Sequence, residues 1–358
     1  MDARAYRNKQ IVTHLFSMQK PVILLVPAPR KVADIFSAAQ LERLAQLGDL
    51  HVFDEEAPTQ AQFEALAPQL EILIGQLDMP QARIAQSPRL RAIFNVEGNY
   101  FPNVDYGFAM ARGVRILSIS PVFAEPVAEA ALGMAIDLAR GISRSDRYFR
   151  QGTERYGLEA NAEAYSLRGQ SIGFIGFGDL GRAILPLLAP FAPHIKAFDP
   201  WLPAEFIAAH GCTAASLDEV LQTCKIVFVV ASVTSQNQGF LGREAFASMQ
   251  AGASLLLLSR AGVVDFEALL DVAESGHIRV ATDVFPQEPV PAGHRVRRAD
   301  NLLLSPHQAG AMQSALAQIG VIVTADAELM VRGLPPCMCK LAQPETVAMF
   351  RSKPVDKS

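Results

Sequence analysis

The stretch Ile172-Gly173-Phe174-Ile175-Gly176-Phe177-Gly178-Asp179-Leu180-Gly181 decides the fold. An apolar run leads into G-x-G-x-x-G and then into residues with helical spacing, so the glycines stand between a strand and a helix. Gly176 permits the tight turn, Gly178 lets a pyrophosphate approach the backbone, and Gly181 allows the helix to pack closely on the strand. The helix start offers the N–H groups of Asp179 and Leu180, with a favourable dipole, to phosphate oxygens. Asp199 follows the next apolar run, at about the twenty-residue spacing of a ribose-binding acid. Its carboxylate can accept both ribose hydroxyls and repels a 2′-phosphate, which favours NAD over NADP. Pro186 falls inside the helix, removes a bond to Arg182, and predicts a kink or an early end there.

Working outward from this turn, apolar runs alternate with helical segments. Runs at 172–175, 195–198, 226–230, 255–258, 280–281 and 302–304 read as six strands. Helical spacing occupies 180–188, 217–223, 243–249 and 266–274. Continuous apolar strands separated by helices of this length predict a parallel sheet covered on both faces, doubly wound. Residues 22–26, 51–53, 72–75, 92–95 and 114–117 repeat the rhythm and predict a second, smaller α/β domain. A long Ala-rich helical pattern runs from about Glu125 to Gly152, followed by a polar surface excursion to Arg168. Another helical segment, 315–331, ends at Gly333 and Pro335-Pro336. Residues 1–19 and 346–358 carry no periodicity and read as terminal extensions.

The 358 residues exceed what one hydrophobic core usually organises. Half are apolar and 19% are charged, which excludes a disordered chain. With 32 basic against 36 acidic residues and no basic block, nucleic acid is not an expected partner. No apolar run reaches the roughly 18 residues of a membrane span, so no membrane partner is expected. Val22–Pro27 reads as a strand, not a signal peptide. Four cysteines are no disulfide framework, and the pair Cys337 and Cys339 lacks a second ligand pair, so no metal is expected. The expectation is a reduced, cytoplasmic protein.

Ligands of open α/β sheets bind outside the carboxyl ends of the strands. Gly176, Asp199, Ala231 and Ser232, Ser259 and Arg260, Asp283 and His307 stand there. An arginine, an acid and a histidine near a nicotinamide suit hydride transfer at a 2-hydroxy or 2-keto acid. A substrate carboxylate calls for a planar bidentate donor, which arginine supplies and lysine does not. The hydroxyl proton needs a base that titrates near neutrality. A carboxylate such as Glu288 behind the imidazole fixes its tautomer and stabilises the imidazolium.

At these residues the chain resembles the D-isomer-specific 2-hydroxyacid dehydrogenases, from roughly Leu90 to Gly333. The ordered motifs are Val104-Asp105, Val127-Ala128-Glu129, the glycine turn, Ser259-Arg260-Ala261-Gly262-Val263-Val264-Asp265, Asp283-Val284-Phe285-Pro286-Gln287-Glu288-Pro289 and Ser305-Pro306-His307-Gln308-Ala309-Gly310. The resemblance implies that Arg260 binds the substrate carboxylate and carbonyl, His307 is the acid/base, and Glu288 orients it. It implies Asp283 and Ser259 near the nicotinamide, Asp199 on the adenosine ribose, and Ala231, Ser232 and Thr234 along the cofactor wall. It further implies a Rossmann nucleotide domain (121–307) inserted into a flavodoxin-like substrate domain (20–120 with 308–345), an active site in the cleft, and a homodimer. Related formate dehydrogenases carry glutamine where Glu288 stands, so a hydroxyacid enzyme is favoured.

Three departures matter. Val230-Ala231-Ser232-Val233-Thr234 keeps only the threonine of the family's H-x-P-L-T-like stretch. The substrate loop, Glu97-Gly98-Asn99-Tyr100, has a tyrosine in place of the second glycine and an acid before it, which disfavours a second negative charge on the substrate. Ala261 replaces a glycine and is expected to restrict its loop. The leading expectation is an NAD-dependent enzyme interconverting a D-2-hydroxy acid and its 2-keto acid. The alternatives are a non-catalytic NAD(H)-sensing protein of the same fold, or a dehydrogenase for a bulky or sugar-derived acid.

Overall fold

Short runs of Val, Ile, Leu and Phe form the central strands, whose faces are both covered, so no alternation with polar residues is needed there. A computed structural model describes residues 20–344 and Val347, apart from Asn99, Ser235 and Asp300. The two expected terminal extensions lie outside the described residues, Val347 excepted. The described chain forms two units. One takes residues up to Ser120 and returns at Leu316–Val347; the other takes Pro121–Ala315. His307 and the eight residues after it therefore stay with the second unit.

The first unit contains β1 (Val22–Val26), β2 (Asp49–Val52), β3 (Leu70–Gly75), β4 (Ala92–Asn95) and β5 (Arg115–Ser118). These pair in parallel in the order β5-β4-β3-β1-β2. A two-residue strand, Lys340–Leu341, closes the β5 edge antiparallel. Sequence reading had no signal for it. It is held by Asp326, fully buried in the helix Gln313–Val331, whose carboxylate accepts N–H bonds from Cys337 (2.8 Å), Met338 (3.1 Å) and Cys339 (2.7 Å). The same helix corrects one expectation. It is long and apolar enough by composition to cross a membrane, yet Ala315, Ile319, Ile322, Val323, Ala327 and Met330 are buried inside the protein.

The second unit holds β6 (Ser171–Ile175), β7 (His194–Phe198), β8 (Thr213–Ala214), β9 (Ile226–Val229), β10 (Ser254–Leu257), β11 (Arg279–Thr282) and β12 (Leu302–Leu304). All pair in parallel in the order β12-β11-β10-β9-β6-β7-β8. Six of the seven coincide with the apolar runs, while β8 is a two-residue edge too short to leave a pattern. Phe174 and Phe228 stack with ring centroids 5.4 Å apart on one face, under Val127, Ala131 and Ala135. The expected single helix from Glu125 to Gly152 is in fact two, Ala124–Arg140 and Ile142–Gln151. Gly141, at φ +65°, breaks the path by adopting a left-handed conformation that favours glycine. The glycine-turn helix continues two residues past Pro186 to Leu188 and then tightens into a 3₁₀ turn over Ala189–Phe191.

The three N–H groups on Asp326 set a testable stability contribution. Asp326→Ala leaves them without an acceptor in a buried setting and is expected to cost roughly 3 kcal/mol. Equilibrium urea denaturation measures this; a loss below about 1 kcal/mol would mean that water replaces the carboxylate without penalty.

Candidate active site

The glycine turn forms as the sequence requires. Gly176 has φ +86°, and a Cβ there would lie 2.6 Å from the backbone of Ala231, so the turn sits directly on the end of β9. A Cβ at Gly181 would lie 3.2 Å from the Phe177 ring and 3.3 Å from the Gly176 carbonyl, which is why helix and strand approach so closely there. At Gly178 a Cβ would meet nothing within 4 Å. The helix Asp179–Leu188 starts at Gly178 with no side-chain cap, so its first N–H groups have no acceptor from a capping residue. Asp179 is paired with Arg182 at 2.7 Å. Asp199 stands beside this turn, its carboxylate accepting from the N–H of Phe177 (2.8 Å) and of Trp201 (3.0 Å). An open glycine cradle, an uncapped helix start and a fixed acid at the next strand end together fit a dinucleotide. Along the adjoining wall Thr234 is buried, its N–H bonded to Asn237 Oδ1 (2.6 Å), and Asn237 in turn holds the Ser232 carbonyl (2.8 Å).

β10, β11 and β12 are neighbours, and each ends in one member of the reactive set. Ser259 is buried and its carbonyl accepts from Arg260 Nη1 at 2.6 Å. Burial lowers the pKa of the Arg260 guanidinium from its ordinary value, while the Glu288 carboxylate nearby pushes it back up. Ala261 begins a 3₁₀ turn through Val263 without a positive φ. The expected restriction of this loop is therefore not strain, because the conformation is one any residue adopts.

Glu288 links the two ends of the set. Its Oε1 accepts from the Phe285 N–H (2.8 Å), and its Oε2 accepts from His307 Nδ1 (2.6 Å). That bond leaves Nε2 as the free nitrogen of the ring. His307 itself has φ +51°, a left-handed backbone that a non-glycine residue holds only where its surroundings impose it. Asp283 imposes it. This buried carboxylate accepts from the Ser305 hydroxyl and from the N–H groups of Gln308 (3.0 Å) and Ala309 (3.1 Å). The sequence reading placed Asp283 near the nicotinamide; its bonds pin the backbone on both sides of His307. Ser305, two residues before the histidine in the same motif, was the available signal.

The substrate-loop residues Glu97, Gly98 and Tyr100 belong to the first unit, and Asn99 lies outside the described residues. The Tyr100 hydroxyl donates to the Lys340 carbonyl (2.7 Å), and its ring meets Tyr106 edge-on at 6.3 Å. Glu97 corrects the charge argument drawn from the sequence. Arg30 Nη2 donates to its Oε2 at 3.0 Å, so the acid is compensated and does not by itself oppose a second negative charge. Arg30 lies too far away in sequence to leave a local signal.

Residues 132–309 match the family model of the D-isomer specific 2-hydroxyacid dehydrogenase NAD binding domain. A phosphoglycerate oxidoreductase from Rhizobium etli has a solved structure that is 43% identical, covers 90% of this chain and 98% of its own, and superposes with a TM-score of 0.82. D-3-phosphoglycerate dehydrogenase of Mycobacterium leprae is 26% identical over 81% of this chain but 55% of its own length. Glyoxylate reductase of Korarchaeum cryptofilum is 26% identical over 79% of this chain and 86% of its own. The chain thus spans about half the length of the phosphoglycerate dehydrogenases it matches. On these matches and on the ordered motifs at β6, β10, β11 and β12, the chain belongs to the D-isomer-specific 2-hydroxyacid dehydrogenase family.

Proposed function

We infer that the chain is an NAD-dependent oxidoreductase that interconverts a D-2-hydroxy acid and its 2-keto acid. The observation that carries this reading is the 2.6 Å bond from His307 Nδ1 to a Glu288 carboxylate that is also coupled to Arg260. NAD(H), when bound, takes or supplies the hydride. The turn Gly176–Gly181 and Asp199 hold it, with Ala231, Ser232 and Thr234 beside it. Arg260 carries a planar guanidinium, a group that proteins do not deprotonate. It binds the substrate carboxylate and polarises the adjacent carbonyl. In the reducing direction His307, as imidazolium, gives its Nε2 proton to the carbonyl oxygen; in the oxidising direction neutral Nε2 takes the hydroxyl proton. Glu288 holds the ring in that tautomer and offsets the charge formed on it.

The partner proposed with this reading is a second copy of the chain. Support comes from the exposed apolar residues Ile142, Phe149, Tyr156 and Leu158, which lie close together in sequence on the second unit. The four cysteines are unbonded, which supports a reducing compartment such as the cytoplasm.

His307→Ala is expected to lower turnover by about 10²–10⁴ while NADH still binds. Stopped-flow NADH oxidation over a series of 2-keto acids reads the first, and quenching of Trp201, the single tryptophan, reads the second. Wild-type turnover in that variant would remove His307 from the chemistry. Tight NADH binding by the wild-type chain without turnover of any acid in the series would instead favour an NAD(H)-sensing protein. Arg260→Lys loses the planar fork, so KM should rise and kcat fall together; an unchanged rate excludes the arginine. Asp199→Ala removes the charge that opposes a 2′-phosphate. The ratio of NADPH to NADH affinity should then rise roughly tenfold or more, and an unmoved ratio would show that selectivity lies elsewhere.

A further inference from the structure

The amino-terminal edge of the second sheet, opposite the glycine turn, carries a polar cluster that the redox chemistry does not use. Lys225 immediately precedes β9, Ser254 opens β10 and Arg279 opens β11, and these three strands are neighbours. The Tyr165 hydroxyl shares a hydrogen bond with fully buried Ser254 Oγ (2.6 Å). Two cations meet the Tyr165 ring, with Lys225 Nζ 4.9 Å and the Arg279 guanidinium carbon 5.5 Å from its centroid. Burial raises the pKa of the phenol, so the ring stays neutral and cannot compensate either charge as an anion would. The two cations are provided for unequally. Arg279 Nη1 donates to the Leu138 carbonyl (2.8 Å) and Nη2 to that of Glu163, and Nη2 also faces the exposed Glu163 carboxylate at 3.7 Å. Lys225 Nζ makes no ion pair or hydrogen bond among the described residues; its contact is the ring. Partial burial and the Arg279 charge both lower the pKa of its ammonium, so more neutral amine is present near pH 8 than at an exposed lysine. Lys225 is only half-buried, and its Nζ lies beside Gly252, where even an added Cβ would be 3.5 Å away, so no side chain at that position covers the amine.

We propose that Lys225 is an acylation site for small acyl phosphates, made reactive by the Arg279 charge beside it. The amine lone pair attacks the acyl carbon and the C–N bond forms. The C–O bond to phosphate breaks, phosphate leaves with the electron pair, and the nitrogen gives its proton to water. An acyl phosphate is an anion, and two adjacent cations raise its local concentration. The product also suits the site better than the ammonium does. An amide carries no charge, so acylation ends the repulsion between Lys225 and Arg279 and leaves one cation on the ring. Lys196 is the internal contrast. Its ammonium is held by Glu219 Oε1 (2.6 Å) and Thr223 Oγ1 (3.0 Å), contacts that favour the charged, unreactive form.

The test incubates the full chain with acetyl phosphate at about pH 8 and follows each acetylated lysine by peptide mass mapping. Lys225 should be labelled about threefold or more faster than exposed Lys31, and about tenfold or more faster than Lys196. A smaller lead over Lys31 overturns the proposal. Arg279→Gln should slow Lys225 by about threefold or more while Lys31 keeps its rate, and Arg279→Lys, which retains the charge, should restore most of the loss. A smaller change in Arg279→Gln shows that the guanidinium does not activate the amine, and overturns the proposal as well. If that variant fails to fold, salt reads the same interaction in the wild-type chain. Raising sodium chloride from about 0.05 to about 1 M screens both the Lys225–Arg279 repulsion and the attraction for the anion, so the Lys225 to Lys31 ratio should fall by about threefold; an unmoved ratio is the overturning result. The readout is a mass label, independent of NADH turnover, so the redox reading stands or falls separately.

Discussion

A buried carboxylate determines where the imidazole can be. Asp283 ends β11 with almost no solvent contact and accepts from three donors, all in the segment that follows β12. Those bonds compensate a charge that burial alone would make costly. They also hold His307 at a positive φ, a conformation that costs on the order of 1 kcal/mol or more in an unconstrained chain. The strain and the buried charge thus offset one another through one set of N–H bonds. The consequence for chemistry is a ring whose Nδ1 already rests on Glu288, so the orientation of Nε2 is set before any substrate arrives.

Rigidity of a different kind governs the glycine turn. There the constraint is the absence of side chains. Gly176 lies against Ala231 with no room for a Cβ, Gly181 lies against Phe177, and only Gly178 opens onto free space. The strand below is anchored by Phe174 and Phe228, each worth about 2–3 kcal/mol of burial, so the turn rests on a firm base. Asp199 is fixed by two backbone donors, one of them from within the turn itself. Cradle and acid are consequently one mechanical piece.

What was legible in the sequence follows the range of the interaction. β6, β9 and β10 could be read almost to the residue because a strand covered on both faces needs an unbroken apolar run. Arg260, Glu288 and His307 could be singled out as candidates because each sits in a short motif just after such a run. β8 and Lys340–Leu341 left no trace, since two edge residues carry no period. The break at Gly141 was hidden because the apolar spacing continues across it, and only the left-handed glycine ends the first helix. The role of Asp283 and the partner of Glu97 depend on contacts 22 to 26 and 67 residues away in sequence. No local pattern encodes such contacts, and for Glu97 their omission left the compensating guanidinium out of the electrostatic argument.

The two sheets apply one topological rule to different ends. Each reverses direction at a single point, β1/β3 in the first unit and β6/β9 in the second, and each gathers its polar residues outside the carboxyl ends there. At β6/β9 the chain leaves backbone N–H groups and an open glycine, which suits an anion bound by dipoles. At β1/β3 it leaves a guanidinium already matched by a carboxylate, which does not.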